Sequence, residues 1–169
     1  MSNIPLWALT IAYWLHMLAT TVWIGGIATL VLLVLPVAKE KLAPLDYANL
    51  LESLKRRLDP LAWLSLAVLL ATGMFQMSAS PNYEGFLAIE NNWSKAILVK
   101  HVLFLGIIAV SAYMTWFLIP AQRRLALLRA KGKEIPEAER IEIRETWLQR
   151  VNLILAILIL ALTALARAS

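Results

Sequence analysis

Four long runs of apolar residues, separated by segments that carry most of the charge, dominate the pattern of the chain. They cover approximately residues 6–37, 60–78, 94–119 and 147–165. About 20 apolar residues in a helix cross a hydrocarbon core of about 30 Å, so each run is long enough to span a bilayer. The pattern predicts an all-α integral membrane four-helix bundle that forms a single transmembrane domain over residues 1–169.

The composition agrees with a membrane protein. Of the 169 residues, 60% are hydrophobic and 16% are charged, whereas about a quarter are charged in a typical soluble domain. The chain contains no cysteine, which excludes disulfides, thiolate-bound clusters and covalent haem attachment. A metal would therefore need ligands from histidine, methionine or carboxylates.

The positive charge is concentrated in the first and third connections between the apolar runs. Their basic residues are Lys39, Lys41, Lys55, Arg56 and Arg57 in the first, and Arg123, Arg124, Arg129, Lys131, Lys133, Arg140 and Arg144 in the second. By the positive-inside rule both connections are cytoplasmic, so we expect both termini and the 80–93 loop on the outer side. The distribution indicates a multi-pass protein of a prokaryotic cytoplasmic membrane, with the lipid bilayer as its partner and no nucleic-acid binding.

Local signals predict how the spans begin and end. Leucines recur at helical spacing among charged residues over 50–58, which predicts a short, solvated helix on the membrane surface without a binding role. Asp59 before Pro60 predicts a helix start. Pro36 and Pro120 are expected to end or kink the first and third spans.

Only two histidines occur in the chain, and both lie within apolar runs. His16 follows Trp7 by nine residues, or about 13 Å along a helix, and His101 follows Trp93 by eight residues, or about 12 Å. The two imidazoles are therefore expected at the same depth in the outer half of the bilayer. An ionisable residue at such a depth indicates a functional site.

Small and apolar residues surround both histidines on their predicted helix faces. Trp23 and Gly26 share the face of His16, and Ala112 shares that of His101. We expect these three residues to shape a pocket for a large, flat ligand.

Three cations lie near the predicted outer interface. Lys95, Lys100 and Arg167 could bind the propionates of a haem, and Lys95 and Lys100 could instead extend to the membrane surface. Lys100 is also an alternative axial ligand if burial removes its proton.

Three hypotheses for the histidines stay open. In the first, His16 and His101 ligate one b-type haem between the first and third spans. In the second, His16 contributes to a copper site with thioether ligands, which favour Cu(I). The methionines available for that site are Met17, Met74, Met77 and Met114. In the third, each histidine only forms hydrogen bonds across the bundle.

The strings HMLATTVWIGGIATLVLLVLP, from His16, and KAILVKHVLFLGIIAVSAYMTWFLIPAQRRL, from Lys95, resemble the CopD-type membrane domain of copper-resistance proteins. The first span is also similar to HemJ-type protoporphyrinogen oxidases, with His16, Trp23 and Gly26 at the matching positions. That resemblance implies that a histidine and a lysine, here Lys100, are associated with haem. His101, directly after Lys100, departs from both patterns and adds a second imidazole.

Together these features predict a membrane protein that binds haem b through His16 and His101 and acts in electron transfer or haem handling. Bis-histidine iron has no open coordination position, which favours electron transfer, but a vacant site would allow a haem-dependent oxidoreductase. A quinone or an outer redox partner would then exchange electrons with it. Copper binding or transport, and a cofactor-free accessory role, are the alternatives. The exposed apolar surface is also compatible with a homodimer or with a subunit of a larger complex.

Overall fold

The structure of the protein, a computed structural model, describes residues 4–83, 85, 91–131 and 137–168. These residues form helices and no strands. The helices are α1 (Leu6–Thr29), α2 (Leu35–Lys41), α3 (Pro44–Ser78), α4 (Asn92–Tyr113), α5 (Ile119–Ala130) and α6 (Glu137–Ala168). Two π-helical turns, Leu30–Val34 and Met114–Leu118, connect α1 to α2 and α4 to α5 without a break.

Four helical segments are long and apolar enough to cross a membrane. They are Leu6–Lys41, Leu45–Ser78, Asn92–Arg129 and Arg140–Arg167, which we number as the first to fourth spans. The predicted all-α membrane bundle of four helices is therefore confirmed. The side of the membrane on which the termini lie stays a prediction. Lys133, which contributed to the charge pattern, lies outside the described residues.

The sequence analysis expected Pro36 and Pro120 to end or kink their spans. Neither proline ends its helix. Each proline lies two residues after a π-helical turn, and the helix continues beyond it. A proline lacks the amide proton and its ring collides with the carbonyl group four residues earlier. The wider π turn contains that carbonyl in both spans, so it accommodates the proline within a continuous helix.

The helix start predicted at Asp59 is wrong, because α3 runs through Asp59 and Pro60 from Pro44 to Ser78. The segment before Pro60 is not a solvated surface helix either. Tyr47 and Leu51 are buried in one cluster with residues of α2. Burial of an amphipathic face supplies most helical stability in proteins, and here it extends the helix beyond the apolar run.

The first and second spans pack together along α1 and α3, and the third and fourth pack along α4 and α6. At mid-height the two hairpins meet in a core of Trp23, Leu66, Ile107 and Ala156, one residue from each span. All four are nearly inaccessible. We call these four residues the central layer, because cavities lie on both sides of it along the bundle.

Candidate functional site

A cavity of about 650 Å³ lies between the four spans, at the end of the bundle where both termini are found. Both histidines line it, together with Trp23 and Lys100. We call it the histidine cavity. Its volume falls within the range of about 300–1,000 Å³ that is typical of small-molecule and cofactor sites.

The His16 ring is oriented by a neighbouring helix. Its Nδ1 lies 2.8 Å from the Thr72 hydroxyl of α3, and that hydroxyl donates its only proton to the Val68 carbonyl oxygen at 2.6 Å. Thr72 must therefore accept, so the His16 Nδ1 carries the proton and its Nε2 carries the lone pair. Within the described residues no hydrogen bond occupies that Nε2. The ring is thus held in the tautomer that leaves Nε2 able to bind a metal.

The His101 ring has the same tautomer for a different reason. Its Nδ1 lies 2.7 Å from the Ile97 carbonyl oxygen, one turn earlier in α4. A carbonyl can only accept, so Nδ1 is the donor and Nε2 again has the lone pair. The start of α4 is fixed by a capping box. Asn91 Oδ1 accepts a hydrogen bond from the Ser94 backbone N–H at 2.7 Å, and the Asn91 backbone N–H donates one to the Ser94 hydroxyl.

The sequence analysis did not identify Thr72 and Gly73, which complete the setting of His16. A Cβ added at Gly73 would lie 3.5 Å from His16 Cε1, so the imidazole packs directly on the α3 backbone. A small residue beside a hydroxyl, at the depth of His16 in the second span, is the signal that could have found them. Neither residue type is specific enough to identify a site alone.

The structure brings together only some of the residues expected around a cofactor. Trp23 and Lys100 line the histidine cavity. Lys95 is exposed and does not line it. Gly26 lines a second cavity beyond the central layer, and Ala112 lines neither of the two.

Arg167 and three of the four methionines weighed as copper ligands also line the histidine cavity. The Arg167 guanidinium lies 5.0 Å from the centre of the Tyr13 ring. The methionines are Met17, Met74 and Met77, whereas Met114 lines the second cavity. Met77 is 6% exposed and Met17 is 61% exposed, so Met77 is the thioether that the protein encloses.

The donor set limits how a metal could be held here. Over the ranges that the structure describes, no three histidine, cysteine or acidic side chains are grouped as a metal site. A metal in the histidine cavity would therefore be bound by the two imidazoles together with either thioether sulfur or, for haem iron, the porphyrin. Imidazole and thioether donors suit copper, and imidazole also suits haem iron.

The second cavity, of about 120 Å³, lies beyond the central layer, and its largely apolar walls contain polar side chains that the sequence analysis missed. Lys55, Asp59, Ser111, Gln149 and Asn152 line it. We call it the polar chamber. The solvated role expected for the connecting segments is wrong here, because residues assigned to them contribute to a buried polar network.

The network contains a buried ion pair between Lys55 and Glu145. Glu145 is 1% exposed and Lys55 is 5% exposed. Glu145 also accepts hydrogen bonds from Gln122 and, at 3.1 Å, from Gln149. Glu145 lies two residues before the apolar run that predicted the fourth span, and for that reason it was not expected inside the bundle.

Comparison with known proteins identifies one family. The sequence model of the family described as Copper resistance protein D matches residues 52–166, which is more than half of the chain. No match was found among curated proteins or among solved structures. The similarity of the first span to HemJ-type proteins stays a prediction. The match covers most of the second and fourth spans and all of the third, including Lys100 and His101, and the chain therefore belongs to the Copper resistance protein D family.

Proposed function

We propose that the protein binds copper in the histidine cavity and handles it within the membrane as part of copper resistance. The observation that carries the proposal is the pair of imidazoles, His16 and His101, which line one cavity with Nδ1 engaged as a donor. Metal-ligating histidines usually donate their other ring N–H to a carbonyl, hydroxyl or carboxylate group. Membership of the family supports copper as the metal.

The enclosed thioether supports the same metal. Met77 lies in the wall of the cavity and is buried, and thioether sulfur is a soft ligand that favours Cu(I) over hard cations. Two imidazoles and one thioether would give Cu(I) a three-donor set from the first, second and third spans. The proposal holds both if the protein transports copper and if copper stays bound to it.

A second candidate, b-type haem, is favoured by the size and charge of the cavity. A volume of about 650 Å³ exceeds the need of a single ion. Lys100 and Arg167 line the same cavity and could pair with two propionates. Under this reading His16 and His101 are the axial ligands, and the protein transfers electrons to or from a quinone or an outer partner, or handles haem.

Metal analysis and a visible spectrum of the same purified sample distinguish the two candidates. We expect about one copper per chain after growth with added copper, and no Soret absorption. A Soret band with iron in place of copper would overturn the copper proposal in favour of haem. Folded protein without either metal would contradict both and leave the histidines a structural role.

The methionine contribution is tested by comparing an enclosed thioether with an exposed one. We expect Met77→Leu to weaken Cu(I) binding by about 10-fold or more, because leucine has a similar volume but no donor atom. Met17→Leu is the matched control, since Met17 lines the same cavity but is largely exposed. Competition with a chromophoric Cu(I) chelator measures both. Equal affinities in the two variants would remove Met77 from the proposed ligand set.

A further inference from the structure

Two amide oxygens in the polar chamber are buried without a hydrogen-bond partner among the described residues. They are Gln149 Oε1 and Asn152 Oδ1, both on α6. Gln149 is 5% exposed and Asn152 is 6% exposed, and both side chains line the chamber. Buried polar atoms are nearly always satisfied in native proteins, so these two oxygens indicate a bound water or ion.

Both amide nitrogens of the chamber have a hydrogen-bond partner. The Gln149 amide nitrogen donates to Glu145, and the Asn152 amide nitrogen donates to the Ser111 hydroxyl at 3.0 Å. The Lys55 ammonium is paired with Glu145. The two buried atoms that have no partner are both acceptors, which an anion could not satisfy.

The charges of the chamber do not cancel. Lys55 and Glu145 neutralise each other, whereas Asp59 lines the chamber and makes no ion pair or hydrogen bond within the described part of the chain. With Asp59 ionised, Lys55, Glu145 and Asp59 together carry one net negative charge, and Asp59 lines the same chamber as the two amide oxygens. Water could donate to these oxygens, but it would not balance that charge.

We propose that the polar chamber binds a small monovalent alkali cation through Asp59, Gln149 Oε1 and Asn152 Oδ1. Carboxylate and carbonyl oxygens are hard ligands, which suit hard cations and not Cu(I). A volume of about 120 Å³ admits an ion together with water. The central layer separates this site from the histidine cavity, so the proposal is independent of the proposed copper function.

Thermal unfolding of the purified full-length protein in detergent tests the site. Choline chloride is replaced by LiCl, NaCl or KCl at constant ionic strength, and Tm is read from tryptophan fluorescence. We expect a saturable rise of about 3–6 °C with at least one alkali cation at ten times its Kd. Asp59→Asn should abolish that rise, and Asp46→Asn, an exposed residue of the same helix, should retain it.

An identical Tm in all four chlorides would overturn the proposal and leave a water-filled chamber. A full rise in Asp59→Asn would also overturn it, because the ion would bind elsewhere. If Asp59→Asn does not fold, Asn152→Leu, which keeps the shape but removes one oxygen, should reduce the rise. His16→Ala should leave the rise unchanged, so a failure here is distinguishable from a failure of copper binding.

Discussion

His16→Ala is expected to reduce the affinity for copper by more than about 100-fold, and His101→Ala is expected to do the same. Loss of a group that hydrogen-bonds to a metal ligand costs about 10- to 100-fold in metal affinity, and loss of the ligand itself costs more. The chain has only these two histidines, so no other imidazole can substitute. Copper content after dialysis against a chelator of known affinity provides the measurement.

Two threonine variants test whether the orientation of His16 matters for copper binding. Thr72→Val keeps the shape of the residue but removes the acceptor of the His16 Nδ1 proton, so we expect about a 10- to 100-fold loss. Thr20→Val is the matched control. It makes the same chemical change in the same cavity, but the Thr20 hydroxyl donates to the His16 backbone carbonyl and not to the ring. Equal copper content in His16→Ala and the unmodified protein would exclude His16 as a ligand.

Glu145→Gln is expected to lower the free energy of unfolding by about 3–5 kcal/mol, because it removes the carboxylate that pairs with the buried Lys55 ammonium. For a chain of this length that loss corresponds to a fall in Tm of at least about 6 °C. The double variant Lys55→Met/Glu145→Gln should recover most of it, since a buried ion pair can often be replaced by apolar groups without net cost. Thermal unfolding in detergent measures all three proteins.

The control for Glu145 is Glu142, which lies on the same helix and forms a partly exposed ion pair with Arg129 of α5. Glu142 lies 2.9 Å from Arg129, and their side chains are 41% and 37% exposed. Glu142→Gln should cost less than about 1 kcal/mol, because solvent screens such a pair. If the two glutamine variants unfolded at the same temperature, the buried pair would not stabilise the bundle.

The four spans could be predicted from the sequence because a bilayer demands long apolar runs, and such runs are visible without any tertiary information. The ends of the helices could not be predicted in this way. Asp59 and Pro60 resemble a helix start locally, but packing of Tyr47 and Leu51 continues α3 through them. Tertiary contacts therefore outweighed a local signal.

The histidine pair could be identified from the sequence because imidazoles are rare in apolar runs. Thr72 and Gly73 could not, since a threonine and a glycine in a transmembrane helix usually serve packing. Lys55 and Glu145 lie in charged segments that resemble solvated connections. Only the structure shows that these two charges, one from the second span and one from the fourth, meet inside the bundle.

In the first span and in the third, the π-helical turn changes which face of the helix before the turn is continuous with which face after it. Each turn accommodates one extra residue relative to an α-helix, and one residue corresponds to a rotation of about 100° about the helix axis. A single heptad or 3.6-residue register drawn through residues 6–41 or 92–130 therefore assigns the wrong face on one side of Leu30–Val34 or Met114–Leu118. Aligning these spans with those of other proteins requires a one-residue gap wherever the proline and its widened turn are missing.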